Sequence, residues 1–256
     1  MQLAQDPNSV DLAARLGVLA RSCSVVTQRR VSPSLIEVVL GGDAVALAGV
    51  PGNDVMVLVE GARGERLRRR YSVRDVDADN DTLTLWISTT HDGPAARFLT
   101  ALAADDVLDV VGPRGKIPLD PVADWHLFVG DVSALGAFYR MAEAIETPGR
   151  AIFIVEIDDG ADALTAPFDD ALGVTAIFVD RHGRAHDDPT GLLSGLVAFT
   201  LPPDEGHAYL FGEFHVSRAV RLALQDRGLR TDQISLKAFY RLGRANGANG
   251  EPEKES

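Results

Sequence analysis

Cysteine is nearly absent from this chain. Its 256 residues contain one, Cys23, so no intrachain disulfide forms and no site of several thiolates holds a metal, which suits a reducing compartment. Cys23 falls in an apolar strand pattern and reads as structural. No apolar run approaches the roughly 18 residues of a membrane span, and the start of the chain lacks the core of about 7 to 15 apolar residues that marks a signal peptide. The expected location is therefore the cytoplasm, with no membrane partner. Positive charge is also scarce: 25 Lys and Arg stand against 37 Asp and Glu, a net charge of −12. Such a field repels nucleic acid and anionic membranes, so any anionic ligand must be held by a local patch. No internal repeat is visible.

What is there is 46% hydrophobic sequence, enough for one large core or two ordinary ones. The local patch is Arg66-Leu67-Arg68-Arg69-Arg70-Tyr71-Ser72-Val73-Arg74. On a strand, Leu67, Arg69, Tyr71 and Val73 share one face, and Arg68, Arg70, Ser72 and Arg74 the other. Guanidinium forks grip phosphate at two points and a tyrosine ring offers a flat surface to another ring, chemistry apt for a flavin nucleotide. The same charges would equally guard an exposed sheet edge.

In chain order, residues 1–20 read as an N-terminal extension with a short helix capped by Asp11. From 21 to 120 the pattern is short strands at Ser24–Val31, Leu35–Leu40, Val55–Glu60, Leu67–Val73, Leu83–Ser88 and Val107–Val111. Gly, Pro, Asn and Asp turns separate them, including one at Gly61–Gly64, as in an antiparallel Greek-key β-barrel. A helix interrupts them at Pro94, with Ala95, Phe98, Leu99 and Leu102 on one stripe. Its start, approached through His91-Asp92-Gly93, reads as an anion site or as a plain connection.

From 121 to 244 strands and helices alternate: strands at His126–Val129, Ala151–Ile157, Val174–Val179, Ala208–Phe211 and Ile234–Phe239, and helices at Ser133–Glu146, Thr190–Phe199 and Val216–Arg227. This predicts a mostly parallel, Rossmann-like α/β domain with ligands at the carboxyl ends of its strands. Residues 245–256 read as a disordered tail. Two strand-to-helix turns draw notice. Gly130-Asp131-Val132-Ser133-Ala134-Leu135-Gly136 would accept a phosphate. It is neither the G-x-G-x-x-G fingerprint nor the G-x-S-x-G elbow of hydrolases, which needs glycine at position 131. At the second, Gly212-Glu213, the glycine would admit a ligand to the backbone. His182 and His186 with Asp187 and Asp188 have metal-ligand chemistry, but Gly183 and Pro189 mark a loop and no metal site is expected. His91, His207 and His215 lie beside turns and read as solvated or structurally hydrogen-bonded.

Taken together, Arg69-Arg70-Tyr71-Ser72-Val73-Arg74 resembles the R-x-Y-T-x-R motif of the siderophore-interacting protein family, within the ferredoxin-reductase-like flavoproteins. His91 with Gly93-Pro94-Ala95-Ala96-Arg97-Phe98-Leu99 resembles that family's H…G-P-A-S-x-W-A segment. Its G-D-E-T-A-L turn is similar to Gly130–Leu135, its G-E…A-V-R segment to Gly212-Glu213 with Ala219-Val220-Arg221, and its Y-W-R-R-G end to Phe239-Tyr240-Arg241-Leu242-Gly243. The resemblance implies a ferric-siderophore reductase that binds FAD in the barrel and takes hydride from NADPH or NADH, the cofactor carrying the redox chemistry. It implies that Tyr71 packs on the isoalloxazine, Arg69 holds phosphate, Ser72 bonds near the reactive flavin nitrogen, and Arg70, Val73 and Arg74 complete the motif. His91, Gly93, Pro94, Ala95 and Ala96 would border the FAD phosphates. Asp131, Ser133, Ala134, Gly212 and Glu213 would flank the nicotinamide nucleotide and Tyr240 would lie near the flavin, while Lys237, Arg241 and Arg244 would attract an anionic chelate. Ala96 replaces a serine, Val132 a glutamate and Tyr240 a tryptophan. Two other functions share these features: reduction of an organic acceptor in a biosynthetic pathway, and binding of a siderophore or metabolite without turnover.

Overall fold

The structure, a computed structural model, describes residues 7–60, 66–91, 93–147, 150–163 and 173–243. The predicted turn at Gly61–Gly64, Asp92, Arg244 and the tail at 245–256 lie outside the described residues. The chain forms two compact units, Met1–Pro118 and Leu119–Ser256.

The first unit is a closed six-stranded barrel. Its strands are β1 (Leu19–Ser32), β2 (Leu35–Gly41), β3 (Asp54–Glu60), β4 (Arg66–Asp77), β5 (Thr82–Ser88) and β6 (Val107–Arg114), in the order β1-β2-β5-β4-β3-β6. All six pairings are antiparallel, as the turn spacing predicts. Alternation sends Val55, Val57 and Val59 of β3 and Leu83, Leu85 and Ile87 of β5 into one shared core with Val38 and Leu40. Burying each such side chain contributes about 1.5–3 kcal/mol. Cys23 lies in that core without exposure, and burial pushes its thiol up to about 12, so it carries no thiolate chemistry.

Helix α1 (Pro7–Leu16) differs from the prediction. It starts at Pro7, because proline suits the first turn, and Asp11 sits mid-helix as an ion-pair partner of Arg15 four residues on. Leu12 and Ala13 pack with Ala20, Met56, Leu58 and Val111 against the outside of the barrel, so this segment is docked on it. Helix α2 (Pro94–Thr100) buries Ala95 and Leu99, while Phe98 and Leu102 pack against the barrel core.

In the second unit, β7 (Trp125–Asp131), β8 (Ala151–Ile157), β9 (Thr175–Asp180), β10 (Gly206–Glu213) and β11 (Ile234–Tyr240) form one sheet in the order β11-β10-β7-β8-β9. Every pair is parallel. Helices α3 (Leu135–Glu143), α4 (Thr190–Ala198) and α5 (Phe214–Asp226) connect them. One sheet face packs aliphatic side chains of β7, β8 and β10 with Leu192 and Leu196 of α4 and Val216, Val220 and Leu224 of α5. The other carries ring contacts among Phe128, Phe153, Tyr209, Phe211 and Phe138 of α3. The chain winds outward from β7 through β8 to β9 and then crosses back to β10, which makes the β7–β10 boundary the topological switch point.

Candidate functional site

The arginine strand β4 divides its faces as a period of two requires. Leu67 and Val73 are buried in the barrel core and Tyr71 packs partly against it. Arg69 is half-buried on the same face, with Nη1 donating to the Arg68 carbonyl at 2.9 Å. Burial raises the Tyr71 phenol well above its usual value, with Arg69 pulling the other way; the ring is a neutral, partly apolar surface at every ordinary pH.

The outward face has a structural occupation that the motif does not reveal. Arg70 forms a two-pronged ion pair with Asp54, Nε to Oδ1 at 2.9 Å and Nη2 to Oδ2 at 2.6 Å, and Asp54 is only 1% exposed. Ser72 stands opposite Asp54 in the β3–β4 register. Arg74 is buried with its guanidinium 5.2 Å from the Trp86 ring centroid, and the Trp86 indole N–H donates to Glu37. Arg70 and Arg74 are thus held by the barrel itself, and Arg69 with Tyr71 is the pair on the inward face.

Beside α2 lies a cleft of about 570 Å³ whose lining includes Arg30, Thr89, His91, Ala96 and Arg97. The first turn of α2 has no side-chain cap and opens through Gly93, with Pro94 at its first position; a Cβ on Gly93 would meet nothing within 4 Å. Backbone and guanidinium donors around an open cleft whose described lining has no carboxylate fit the phosphates of a dinucleotide. A partly packed tyrosine fits its ring. These residues of the barrel therefore suit FAD.

At the switch point of the second unit, the predicted turn residues meet, around a carboxylate. Asp131, 6% exposed at the end of β7, accepts the Ser133 N–H at 2.9 Å and the Ser133 hydroxyl on one oxygen. Its other oxygen accepts the Tyr240 hydroxyl at 2.9 Å and the Glu213 N–H at 3.2 Å. Ala134 is buried in the short turn that follows. Burial, then the charge and hydrogen bond of Asp131, raise the Tyr240 phenol far above its usual value. Gly212 has a φ of +131° and a Cβ there would stand 2.6 Å from Asp131 Oδ2; its smallness serves this internal carboxylate, where the sequence suggested a ligand. Glu213 in turn caps α5, accepting the His215 and Val216 N–H groups, and accepts the Leu242 N–H at 3.2 Å.

Of the residues expected to attract an anionic chelate, Lys237 and Arg241 lie among the described residues, each against aromatic rings. Lys237 is 6% exposed, with its ammonium 5.9 Å and 5.5 Å from the Phe211 and Phe239 centroids. Arg241 lies over the Phe214 ring at 5.0 Å. His207 is structurally hydrogen-bonded, as expected, bridging Asp120 and Ser235 at 3.1 and 2.9 Å, and His182 sits 3.2 Å from Asp180. Among the described residues no cluster of three His, Cys, Asp or Glu side chains has metal-binding geometry.

Sequence reasoning missed a buried ion network at the carboxyl ends of β8 and β9. Glu156 meets Arg181 at 2.7 Å and Arg184 at 3.0 Å, and Arg181 also meets Asp158 at 2.7 Å. Arg181 is 3% exposed, and burial raises the Glu156 carboxyl despite both arginines. The available signal was a charge inside the last residues of an apolar strand, Ile154-Val155-Glu156-Ile157, at the sheet end where ligands bind.

Comparison with known proteins places both halves. Residues 123–243 match the family model described as siderophore-interacting protein, and residues 22–118 match the oxidoreductase FAD-binding domain. An uncharacterized protein of Mycobacterium tuberculosis is 32% identical over 192 residues, 69% of this chain and 65% of its own length. The chain thus spans just under two thirds of the curated relatives it matches first. Ferric vibriobactin reductase ViuB of Vibrio cholerae is 30% identical over 95 residues, 37% of this chain and 35% of the reductase. A siderophore utilization protein from T. fusca has a crystal structure that matches with a TM-score of 0.76 at 26% identity, over 90% of this chain and 95% of that one. No helix among the described residues is long and apolar enough to cross a membrane.

Proposed function

The chain belongs to the siderophore-interacting protein family, with a ferredoxin-reductase-like fold, and from that premise we propose that it is a flavin-dependent oxidoreductase. It binds FAD in the barrel, draws electrons from NADPH or NADH and reduces a ferric siderophore to release Fe(II). The observation that carries this reading is the inward pair on β4, Tyr71 packed partly on the barrel core with Arg69 beside it, near in sequence to the basic cleft along α2.

FAD, when bound, supplies the conversion between hydride transfer and one-electron reduction of iron. The chain's residues supply position and charge. Tyr71 offers a neutral ring face fixed by the core, and Arg69 a guanidinium for phosphate. Ser72 contributes a hydroxyl next to Tyr71 on the other face of the strand. In the second unit, Asp131 holds Ser133 and Tyr240 in one arrangement, so the edge presented to a nucleotide is set before binding. Lys237 and Arg241, each against aromatic rings, would act on an anionic chelate by proximity of charge; with Arg244 they remain the proposed substrate contacts.

One observation favours binding without turnover. The turns at both helix starts of the switch point are capped by the chain's own carboxylates, Asp131 and Glu213, which oppose a nucleotide phosphate there. The deciding experiment is an absorption spectrum of the purified protein with added FAD, followed by anaerobic NADPH or NADH and ferrous-iron trapping from a panel of ferric chelates. Bleaching of the flavin and iron release are the expected results. Bound flavin that is never reduced would favour the binder, and a protein that takes up no flavin would end the reductase reading.

A further inference from the structure

The second unit has a cavity at the amino ends of its strands, the opposite end from Asp131. It encloses about 320 Å³, inside the roughly 300–1,000 Å³ of small-ligand sites. The lead into β7 and the connection from α3 to β8 line it, and Leu119, Pro121, Ala123 and Ile145 give it apolar surface. His126, the second residue of β7, lines it too and is only 4% exposed. The fold uses one side of that imidazole. The Tyr209 oxygen accepts the Asp120 N–H at 2.7 Å, so its own hydrogen is left for His126 Nδ1 at 3.5 Å. That sets the neutral tautomer with hydrogen on Nε2, and burial keeps the ring neutral by depressing its pKa to about 4. Among the described residues the Nε2–H has no acceptor. A buried donor without a partner is costly, and an acceptor placed in the cavity would relieve that cost.

Two opposite charges at the same cavity are also unspent. Arg150 and Glu146 line it, and among the described residues neither side chain makes an ion pair or a hydrogen bond, with the other or with anything else. The Arg150 carbonyl accepts the His126 N–H at 2.7 Å, which sets the arginine beside the imidazole. The other two carboxylates of the lining are occupied within the chain: Asp120 by His207 and the Val122 N–H, and Asp124 by the Glu205 N–H. A net anion would meet three carboxylates here, and a net cation would face Arg150. A small molecule that carries both charges finds one open partner for each. We propose that this cavity binds a free α-amino acid: Arg150 and the His126 Nε2–H hold its carboxylate, Glu146 holds its ammonium, and its side chain lies on the apolar wall. A guanidinium fork matches a carboxylate with two parallel bonds, and the few convergent polar groups over an apolar wall are the usual make-up of a small-molecule site. His126 and Asp131 stand at opposite ends of β7, roughly 16 Å apart at about 3.3 Å per residue, so this site and the proposed nucleotide edge can be filled together.

The full chain is titrated calorimetrically with L-leucine and L-glutamine, and with two leucine analogues that each lack one charge, leucinamide and 4-methylpentanoate. Saturable binding of at least one of the amino acids is expected, with both analogues at least about tenfold weaker than leucine, the equivalent of about 1.4 kcal/mol. Arg150→Gln should weaken leucine about tenfold and leave leucinamide unchanged. Glu146→Gln should weaken leucine to a similar extent and leave 4-methylpentanoate unchanged. Because neither side chain is bonded within the fold, both variants keep the wild-type melting temperature, and Arg150→Lys recovers part of the loss. Absence of saturable binding by both amino acids, leucinamide or 4-methylpentanoate binding as tightly as leucine, or wild-type affinity in both variants would each overturn the assignment. No flavin enters the measurement, so its failure leaves the oxidoreductase reading untouched.

Discussion

Asp131→Asn is the perturbation that most directly tests how the switch point is held. The carboxylate is 6% exposed and accepts four donors: the Ser133 N–H and hydroxyl on one oxygen, the Tyr240 hydroxyl and Glu213 N–H on the other. Asparagine keeps the shape but has one accepting oxygen, and its NH₂ group can only donate. Whichever way the amide turns, two donors face a donor. Hydrogen bonds to a charged partner contribute about 1.5–3 kcal/mol each; with relaxation and partial access of water to Tyr240, the net loss is about 3 kcal/mol. Urea unfolding of the full chain should show the transition of the second unit moving down by about 1–2 M with an unchanged slope, at roughly 2 kcal/mol per molar. A midpoint shift equivalent to less than about 0.5 kcal/mol would mean that the four donors find other partners easily, and that Asp131 does not organise this edge.

Other outcomes follow from the same structure. Arg69→Ala should weaken FAD binding with little change in melting temperature, whereas Arg70→Ala, by stranding the buried Asp54 carboxylate, should cost about 3 kcal/mol of stability; equal stability of the two variants would refute the division of faces on β4. Burial, then His207, depress His126 from 6.5 to about 4 against the pull of Asp120. Between those two pH values the unfolded chain takes up a proton that the folded chain refuses, so stability falls on acidification through that window, by about 3 kcal/mol at full effect. His126→Phe, stacked with Phe128 and Tyr209, should flatten that slope, and an unchanged slope counts against the assignment. Gly130→Ala puts a Cβ 2.1 Å from the Phe211 carbonyl oxygen in the adjacent strand; a loss of about 3 kcal/mol is expected, and a wild-type melting curve would contradict the observed β7–β10 spacing.

Most of the architecture was legible because each strand is short, apolar and fenced by turn residues, and because the β-to-α/β change of pattern is abrupt after Pro118. The boundaries were not. β4 runs on to Asp77, past the predicted stop at Val73, because a register shift between Val73 and Asp75 lets the polar stretch keep pairing with β5; a bulge leaves no mark in residue type. β1 begins at Leu19 because Leu19 pairs with Gly112, a contact between residues far apart in sequence. The third predicted helix start was displaced for a local reason: Val132–Ala134 form a tight turn capped by Asp131 before regular helix begins at Leu135.

The site divides along the same line. Period two sorted the arginines of β4 onto two faces, but which face serves a ligand depends on what the neighbouring strand places opposite, and Asp54 lies 16 residues from Arg70. The same holds for Glu156 and Arg181, joined only when β8 and β9 pair. Arginine in this protein is repeatedly absorbed by carboxylates: Arg29 by Glu37, Arg70 by Asp54, Arg181 by Glu156 and Asp158, Arg230 by Glu205. In an acidic chain, then, a cluster of arginines is weak grounds for an anion site, and the lining matters more than the count. The described lining of the cleft along α2 lacks any carboxylate. Charges beyond the screening length of about 8–10 Å are largely damped by salt, so the net charge of −12 slows an anion's approach while the nearby guanidinium groups decide how tightly it is held.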